Sequence, residues 1–517
     1  MRSTLRETAA AIAAGLLLTT AFPKPSVAVL AWMALVPLLV SLQGQRPGER
    51  FRLGFIAGLV HYLTLLYWVA YTMQVYGHLP ISVSVPVLFL FSACLAVFFG
   101  GFTLCCTGPI LAAPAPTIMA VPALWVGFEY LRSVLFTGFP WELLGYSQYE
   151  NRTLIQIADL AGIWGVSYLV AMGNALLAAA TVAVLRRRSG QPASFSGRDA
   201  VAVAVGVLLF AASWGYGAFR IGDMERKLAR APTLRAGMVQ GNIPQGIKWD
   251  RRFQRRTTEK YIQLSTRLKP ERPDLVVWPE TATPFYLFHD EELTEAVLEG
   301  VRETGAPFLI GSNAAERRGG KIRYFNSAFL VDPEGRRLAR YDKVHLVPYG
   351  EYVPLKRFFP FIGKLVEHVG DFDHGVRGEI LETDNLRLGV QICYEIIFPS
   401  LSRTLADNGA TLLVNITNDA WYGRTAAPYQ HFSMAVFRAV ENRRSLIRAA
   451  NTGISGCIDP VGRVLVRTKL FEDAALTCEV PVWGEKSLYT RTGGLFPALC
   501  LAGGVFAVFR YRKQAGT

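Results

Sequence analysis

The sequence predicts a multi-span α-helical membrane domain of about eight helices carrying an exported α/β domain. Three observations lead there. The 517 residues are 51% hydrophobic and only 18% charged, with a mean hydropathy of +0.26, too apolar for an ordinary soluble chain. Charges are sparse before about Phe219 and after about Gly493, and normally frequent between them. In that middle part, short β-branched runs alternate with helical patterns, the signature of a layered α/β domain.

Crossing ~30 Å of hydrocarbon takes about 20 apolar residues. Spans are expected near 9–22, 27–42, 54–75, 85–111, 118–135, 164–185, 201–219 and 495–509. A cleaved signal peptide is the rival reading of the first, because Arg2 and Arg6 precede it. A second apolar segment follows at once after Pro23-Lys24-Pro25, without a small-residue cleavage site, which favours an uncleaved hairpin. The break at Ala229-Arg230-Ala231-Pro232-Thr233 divides the chain into helices at 1–230, an α/β domain at 231–484, and a last helix with a basic tail at 485–517.

Basic residues set orientation. With eight spans, the clusters Arg2/Arg6, Arg46/Arg50/Arg52, Arg186-Arg187-Arg188 and Arg510/Arg512/Lys513 share one face, the cytoplasmic one. The middle domain then lies opposite. The net charge of +14 comes mostly from these flanks, so nucleic-acid binding is a poor explanation of it. Seven cysteines and seven histidines match no metal-ligand spacing. A Cys457–Cys478 bridge is one open possibility.

Strand-like runs in the exported part cover 234–239, 275–278, 307–310, 386–392, 411–416 and 445–448, with helical patterns at 252–268, 291–304 and 430–441. Asp332-Pro333-Glu334-Gly335 and Asp459-Pro460-Val461-Gly462 each join two strand-like runs, and Pro after Asp suits a type I turn. The repeat suggests a sandwich in which each half contributes one hairpin.

Cys393 ends one such run, Leu-Gly-Val-Gln-Ile-Cys-Tyr-Glu. Only a thiolate attacks well, so a thiol nucleophile needs a base and a group to hold the charge it creates. Glu280 in Val-Val-Trp-Pro-Glu and Lys343 in Arg-Tyr-Asp-Lys also end apolar runs, 63 and 50 residues apart along the chain. Glu280 suits the base if burial raises its proton affinity. Lys343 suits the oxyanion partner.

The words around these residues are Trp-Pro-Glu-Thr-Ala, Tyr-Asp-Lys-Val-His-Leu-Val-Pro-Tyr-Gly-Glu-Tyr-Val-Pro and Ile-Cys-Tyr-Glu-Ile-Ile-Phe-Pro. Together they resemble the nitrilase superfamily, which implies an α-β-β-α sandwich and an acyl-enzyme thioester. Val-Gln-Gly-Asn-Ile-Pro-Gln-Gly-Ile-Lys-Trp-Asp, Asn-Asp-Ala-Trp-Tyr-Gly and Phe-Pro-Trp-Glu-Leu-Leu-Gly-Tyr-Ser-Gln narrow the likeness to the apolipoprotein N-acyltransferase family. That resemblance implies acyl transfer from a phospholipid, usually phosphatidylethanolamine, to Cys393. The chain then passes to the α-amine of a diacylglyceryl-cysteine on an apolipoprotein. It implies Glu280 as base, Lys343 as oxyanion partner and Cys393 as nucleophile, supported by Glu351, Tyr394, Glu395 and Trp249. It also implies a bacterial inner membrane, a periplasmic active site, and neither metal nor soluble cofactor. Arg424-Thr425-Ala426-Ala427-Pro428 and Phe437-Arg438-Ala439-Val440-Glu441 depart locally from the family's wording and leave the Glu–Lys–Cys set intact.

Bland readings stand beside these. Glu351 and Glu395 suit structural ion pairs, and Trp249 suits packing. Phe358, Phe359 and Phe361, next to Lys356 and Arg357, read as a lid dipping into the outer leaflet, or as ordinary core. Trp141 and Tyr146 suit a substrate cleft or an interfacial aromatic belt. A membrane-tethered amidase is the competing enzyme. A transporter would need paired ionisable groups in its spans, where His61 and Glu129 are the main candidates.

Overall fold

The computed structural model describes residues 2–190, 195–352, 372–383 and 385–515. The expected lid at Phe358, Phe359 and Phe361 lies outside the described residues. Two compact units divide the chain: Met1–Tyr71 with Pro80–Ile221 and Thr492–Thr517, and Thr72–Leu79 with Gly222–Arg491.

The first unit is helical. Among the described residues, Ile81–Cys105, Ile163–Arg188, Gly197–Leu228 and Leu495–Arg512 are long and apolar enough to cross a membrane. Pro47–Leu65 and Tyr67–Val75, bent by 44° at a break, make a fifth if they form one span. The segment expected at 27–42 is instead a 3-10 helix, Ala28–Trp32, and a short α-helix, Val36–Ser41. Asn174 makes that break tolerable: it accepts from Leu35 N at 2.8 Å and donates to Ala31 O at 2.7 Å. Backbone groups freed inside an apolar bundle need such partners.

Helix Pro114–Val134, which covers the span expected at 118–135, carries two buried ionisable residues, Glu129 and Arg132. Both serve the adjoining loop. Glu129 Oε1 accepts from Leu144 N at 2.6 Å, and Arg132 donates to the carbonyls of Phe139 and Trp141, each at 2.9 Å. Trp141 and Tyr146 are fully buried in this unit; Trp141 stacks with Phe139 and packs on Trp68.

The second unit contains thirteen named strands among the described residues. They are β1 (Thr233–Gln240), β2 (Leu275–Val277), β3 (Thr283–Tyr286), β4 (Phe308–Arg318), β5 (Lys321–Val331), β6 (Arg337–Asp342), β7 (Leu381–Glu382), β8 (Arg387–Ile392), β9 (Leu412–Thr417), β10 (Ser445–Ala450), β11 (Gly456–Ile458), β12 (Val464–Arg467) and β13 (Ala474–Pro481). One sheet runs β13-β1-β2-β4-β5-β6, with β3 beside β4; the other runs β12-β11-β10-β9-β8-β7. The first is parallel across β1-β2-β4 and the second across β8-β9-β10, with antiparallel strands completing each.

The sheets pack face to face through β1 on β10 and β5 on β8. Helices Arg251–Thr266 and Glu291–Thr304 cover the outer face of the first, where Tyr261, Leu264, Val297 and Val301 meet Val276, Phe308 and Phe329. Helices Pro399–Asp407 and Ala427–Asn442 cover the second. The α-β-β-α sandwich implied by the resemblance is therefore present.

Both Asp-Pro-x-Gly turns are hairpins, one in each sheet. Gly335 N donates to Asp332 O and Gly462 N to Asp459 O, at 3.0 and 2.9 Å. Gly335 and Gly462 have φ of +86° and +80°, and each hairpin carries a bulge beside its turn. A type I turn followed by a left-handed glycine is the usual solution for such a loop.

Cys457 on β11 and Cys478 on β13 are bonded, with Cα atoms 6.6 Å apart. The bridge staples one sheet to the other and closes a loop with a sequence separation of 21. Replacing both cysteines by serine should lower unfolding stability by roughly 3 kcal/mol. Denaturant unfolding of the full chain in detergent, with and without reductant, checks this; reductant should move the wild type and leave the double variant unchanged.

Candidate active site

Three strand ends deliver the expected residues to one place within the second unit. Glu280 follows β2, Lys343 follows β6, and Cys393 follows β8. All three are buried. The turn at Glu280 fits only because β4 approaches it with a glycine: a Cβ on Gly311 would lie 2.1 Å from Pro279 O. Trp278 anchors the same turn, donating through Nε1 to Ser265 Oγ at 2.8 Å.

Lys343 Nζ lies 2.9 Å from Glu351 Oε1 and 3.4 Å from Glu280 Oε1. Asn326 on β5 joins the two carboxylates, its Nδ2 donating to Glu280 Oε1 at 2.8 Å and to Glu351 Oε1 at 2.9 Å. The same residue accepts from the backbone N of Lys343 at 2.8 Å. Asn418, just after β9 in the opposite sheet, donates its N–H to Glu280 Oε2 at 2.9 Å. Val347 N does the same for Glu351 Oε2 at 2.8 Å.

Charge follows from this geometry. Burial opposes the Lys343 ammonium, but Glu351, Glu280 and Cys393 outweigh it and hold the group well above its ordinary range. Burial and the Glu280 carboxylate push the Cys393 thiol well up, against the pull of Lys343. The resting thiol is therefore neutral, beside a carboxylate that can take its proton.

Glu395 has no ion pair among the described contacts; it is a clamp. Its carboxylate accepts from Ile392 N at 2.7 Å and Tyr341 Oη at 3.0 Å through one oxygen. The other oxygen accepts from Val344 N at 2.6 Å and His345 N at 2.9 Å. The end of β8 is thereby tied to the loop that carries Lys343. Tyr394 is buried, its ring near those of His345 and Phe398. Trp249 is half-buried in the turn before helix Arg251–Thr266.

Sequence reading missed Lys248, Asn326 and Asn418. Lys248, next to the quoted Trp249, is buried and donates through Nζ to Glu280 O at 3.1 Å. Burial pulls it down to about 8, against the charges of Glu280 and Cys393. The Ile-Lys-Trp-Asp wording was the available signal. Asn418 opens the quoted Asn-Asp-Ala-Trp-Tyr-Gly motif, which marked the segment but not its contact with Glu280, and Asn326 lies in a run with no distinguishing pattern. No group of three or more His, Cys, Asp or Glu suited to a metal occurs among the described residues.

Residues 14–176 match the family described as apolipoprotein N-acyltransferase N-terminal domain, and residues 235–484 match carbon-nitrogen hydrolase. A Geobacter metallireducens protein named apolipoprotein N-acyltransferase is 42% identical, over 98% of this chain and 95% of its own. The chain belongs to the apolipoprotein N-acyltransferase family. A Methylococcus capsulatus relative of the same name is 33% identical over 98% of this chain and 96% of its own. Among solved structures, an amidase from Nesterenkonia sp. aligns at 20% identity over 52% of this chain and 96% of its own, with a TM-score of 0.37. The C. elegans NitFhit protein aligns at 19% identity over 52% of this chain and 65% of its own, with a TM-score of 0.39.

His345 provides a pH test of the site. Burial first, then Lys343, His374 and Arg377, lower it to about 4. Its folded value lies below its unfolded one, so the unfolded state binds more protons between about 6.5 and 4 and stability falls as pH drops through that window. His345→Gln should flatten that part of the unfolding-midpoint profile between pH 7 and pH 4.5. An unchanged slope would assign the acid sensitivity elsewhere.

Proposed function

We propose that this membrane enzyme acylates the N-terminal diacylglyceryl-cysteine of apolipoproteins, taking the acyl chain from phosphatidylethanolamine through a thioester on Cys393. The observation that carries the reading is the buried Glu280–Lys343–Glu351 cluster acting on the Cys393 thiol, in a chain matched over nearly its whole length by relatives named for this reaction.

Glu280 takes the thiol proton, and the thiolate attacks the ester carbonyl. Lys343 holds the resulting oxyanion. The ester C–O bond then breaks, and the lysophospholipid leaves with the proton from Glu280. The acceptor amine attacks the thioester, the C–S bond breaks, and Glu280 carries an amine proton back to the Cys393 sulfur. Glu351 keeps Lys343 charged and placed, and Glu395 with Tyr394 fixes the nucleophile's turn. Trp141 and Tyr146, fully buried, pack the helical unit, whereas Trp249 and the Phe358/Phe359/Phe361 segment are assigned to lipid contact. Excluding water there favours the amine over hydrolysis.

The chain lies in the bacterial inner membrane with eight crossings, residues 1–230 and 485–517 spanning and 231–484 facing the periplasm. Two facts support this placement. The basic clusters share one side under eight crossings, and a disulfide in the catalytic unit suits an oxidising compartment.

Intact mass spectrometry after incubation with phosphatidylethanolamine tests the reading. Wild type should gain one acyl chain, Cys393→Ala none, and a diacylated lipopeptide should discharge the adduct as an amide. Discharge to free fatty acid despite the lipopeptide would instead make the enzyme a tethered hydrolase. Lys343→Met should slow adduct formation by about 10²–10³-fold, the usual cost of losing one oxyanion donor; a single-turnover rate near wild type would remove that role.

A further inference from the structure

Asp419, His431 and Arg448 are fully buried and take no part in the steps above. They form a chain that ends on the nucleophile. Arg448 Nη2 donates to Asp419 Oδ2 at 2.8 Å and lies 2.9 Å from His431 Nδ1. Thr417 Oγ1 donates to Asp419 Oδ1 at 2.9 Å, and Arg448 also holds Asn415 Oδ1. His431 Nε2 lies 3.2 Å from the carbonyl oxygen of Cys393, and Asn415 Nδ2 donates to the same oxygen at 3.4 Å.

A carbonyl oxygen only accepts, so Nε2 carries a hydrogen. Nδ1 then sits between a donor, Arg448, and an acceptor, Asp419 Oδ1 at 3.0 Å. The bond to Cys393 survives whether the ring is neutral or charged. Burial and Arg448 lower the ring's basicity, which favours the neutral form with Arg448 donating to Nδ1.

The carbonyl held this way belongs to a residue in an unfavourable backbone state. Cys393 has φ +53°, a region that residues with a Cβ seldom enter. The following peptide is planar and trans, so fixing its C=O also fixes its N–H, pointing the opposite way. That N–H is Tyr394's, in the first turn of the 3-10 helix Cys393–Ile397. First-turn N–H groups have no acceptor in their own helix.

Building on the acyl-enzyme reading, we propose that His431, braced by Asp419 and Arg448, is a positioning residue that aims the Tyr394 N–H at the oxyanion of acyl transfer. It touches no substrate atom and acts through the Cys393–Tyr394 peptide. Such a device should affect acyl transfer, which passes through an oxyanion, and spare alkylation by iodoacetamide, which needs the thiolate alone.

The experiment uses the full chain in detergent micelles containing phosphatidylethanolamine. It compares acyl-enzyme formation with iodoacetamide alkylation of Cys393 in wild type, His431→Leu and His431→Gln. The leucine lacks a donor; the glutamine amide keeps one. His431→Leu should lower the acylation kcat by about 10²-fold, with KM for the lipid and the alkylation rate each within twofold of wild type. His431→Gln should recover acylation to within tenfold, again with normal alkylation. Should the leucine variant fail to fold, His431→Gln decides alone: acylation three- to tenfold slow with normal alkylation supports the proposal. Unchanged acylation, or acylation and alkylation falling together, overturns it. A wild type that forms no adduct overturns the acyl-transfer reading instead, so the two failures are distinguishable.

Discussion

The carboxylate of Glu395 accepts hydrogen bonds from Ile392 at the end of β8, Tyr341 on β6, and the two residues after Lys343. β8 and β6 belong to different sheets. One buried side chain thus sets the separation between the strand that presents the thiol and the loop that presents the ammonium. Hydrogen bonds to a charged acceptor are individually among the stronger ones in a fold, about 1.5–3 kcal/mol each, and burial makes leaving any of them unmade costly. Two sheets that merely packed through apolar side chains would not fix this geometry, because apolar contact has no direction.

Within that frame the electrostatics are self-consistent. Lys343 lies against two carboxylates and stays charged despite burial. Cys393 is pushed the other way, toward the neutral thiol, by burial and by Glu280. A site of this kind stores no free thiolate. In the proposed reaction the nucleophile would form as Glu280 takes the thiol proton. Glu280 is held by donors from both sheets, Asn326 and Asn418, so its position too depends on the sandwich being closed.

The helical unit obeys the same rule in a different solvent. Asn174 repairs a helix break, while Glu129 and Arg132 pin the loop containing Trp141. These polar groups satisfy backbone atoms that a bilayer could not. Glu129, which sequence alone left open to a transporter's ion path, has this structural partner instead.

Much of the molecule was legible in the sequence. The alternation of period 2 and period 3.6 located the central strands and helices, because side-chain period follows from local backbone geometry. The two Asp-Pro-x-Gly hairpins were readable because Pro fixes φ at its position and Gly tolerates the positive φ that follows. Glu280, Lys343 and Cys393 stood out by residue type and by the words around them. Composition alone set the division between apolar helices and a polar middle. The tertiary structure decided what depends on contacts between distant segments: the clamp at Glu395, Asn326 and Asn418 on Glu280, Lys248 beside it, the Cys457–Cys478 staple, and the line from Arg448 to the Cys393 carbonyl. None of these has a sequence period, because each joins residues whose separation along the chain bears no relation to their distance in space. The broken second helix belongs with them, since the side chain that makes it tolerable sits 139 residues away.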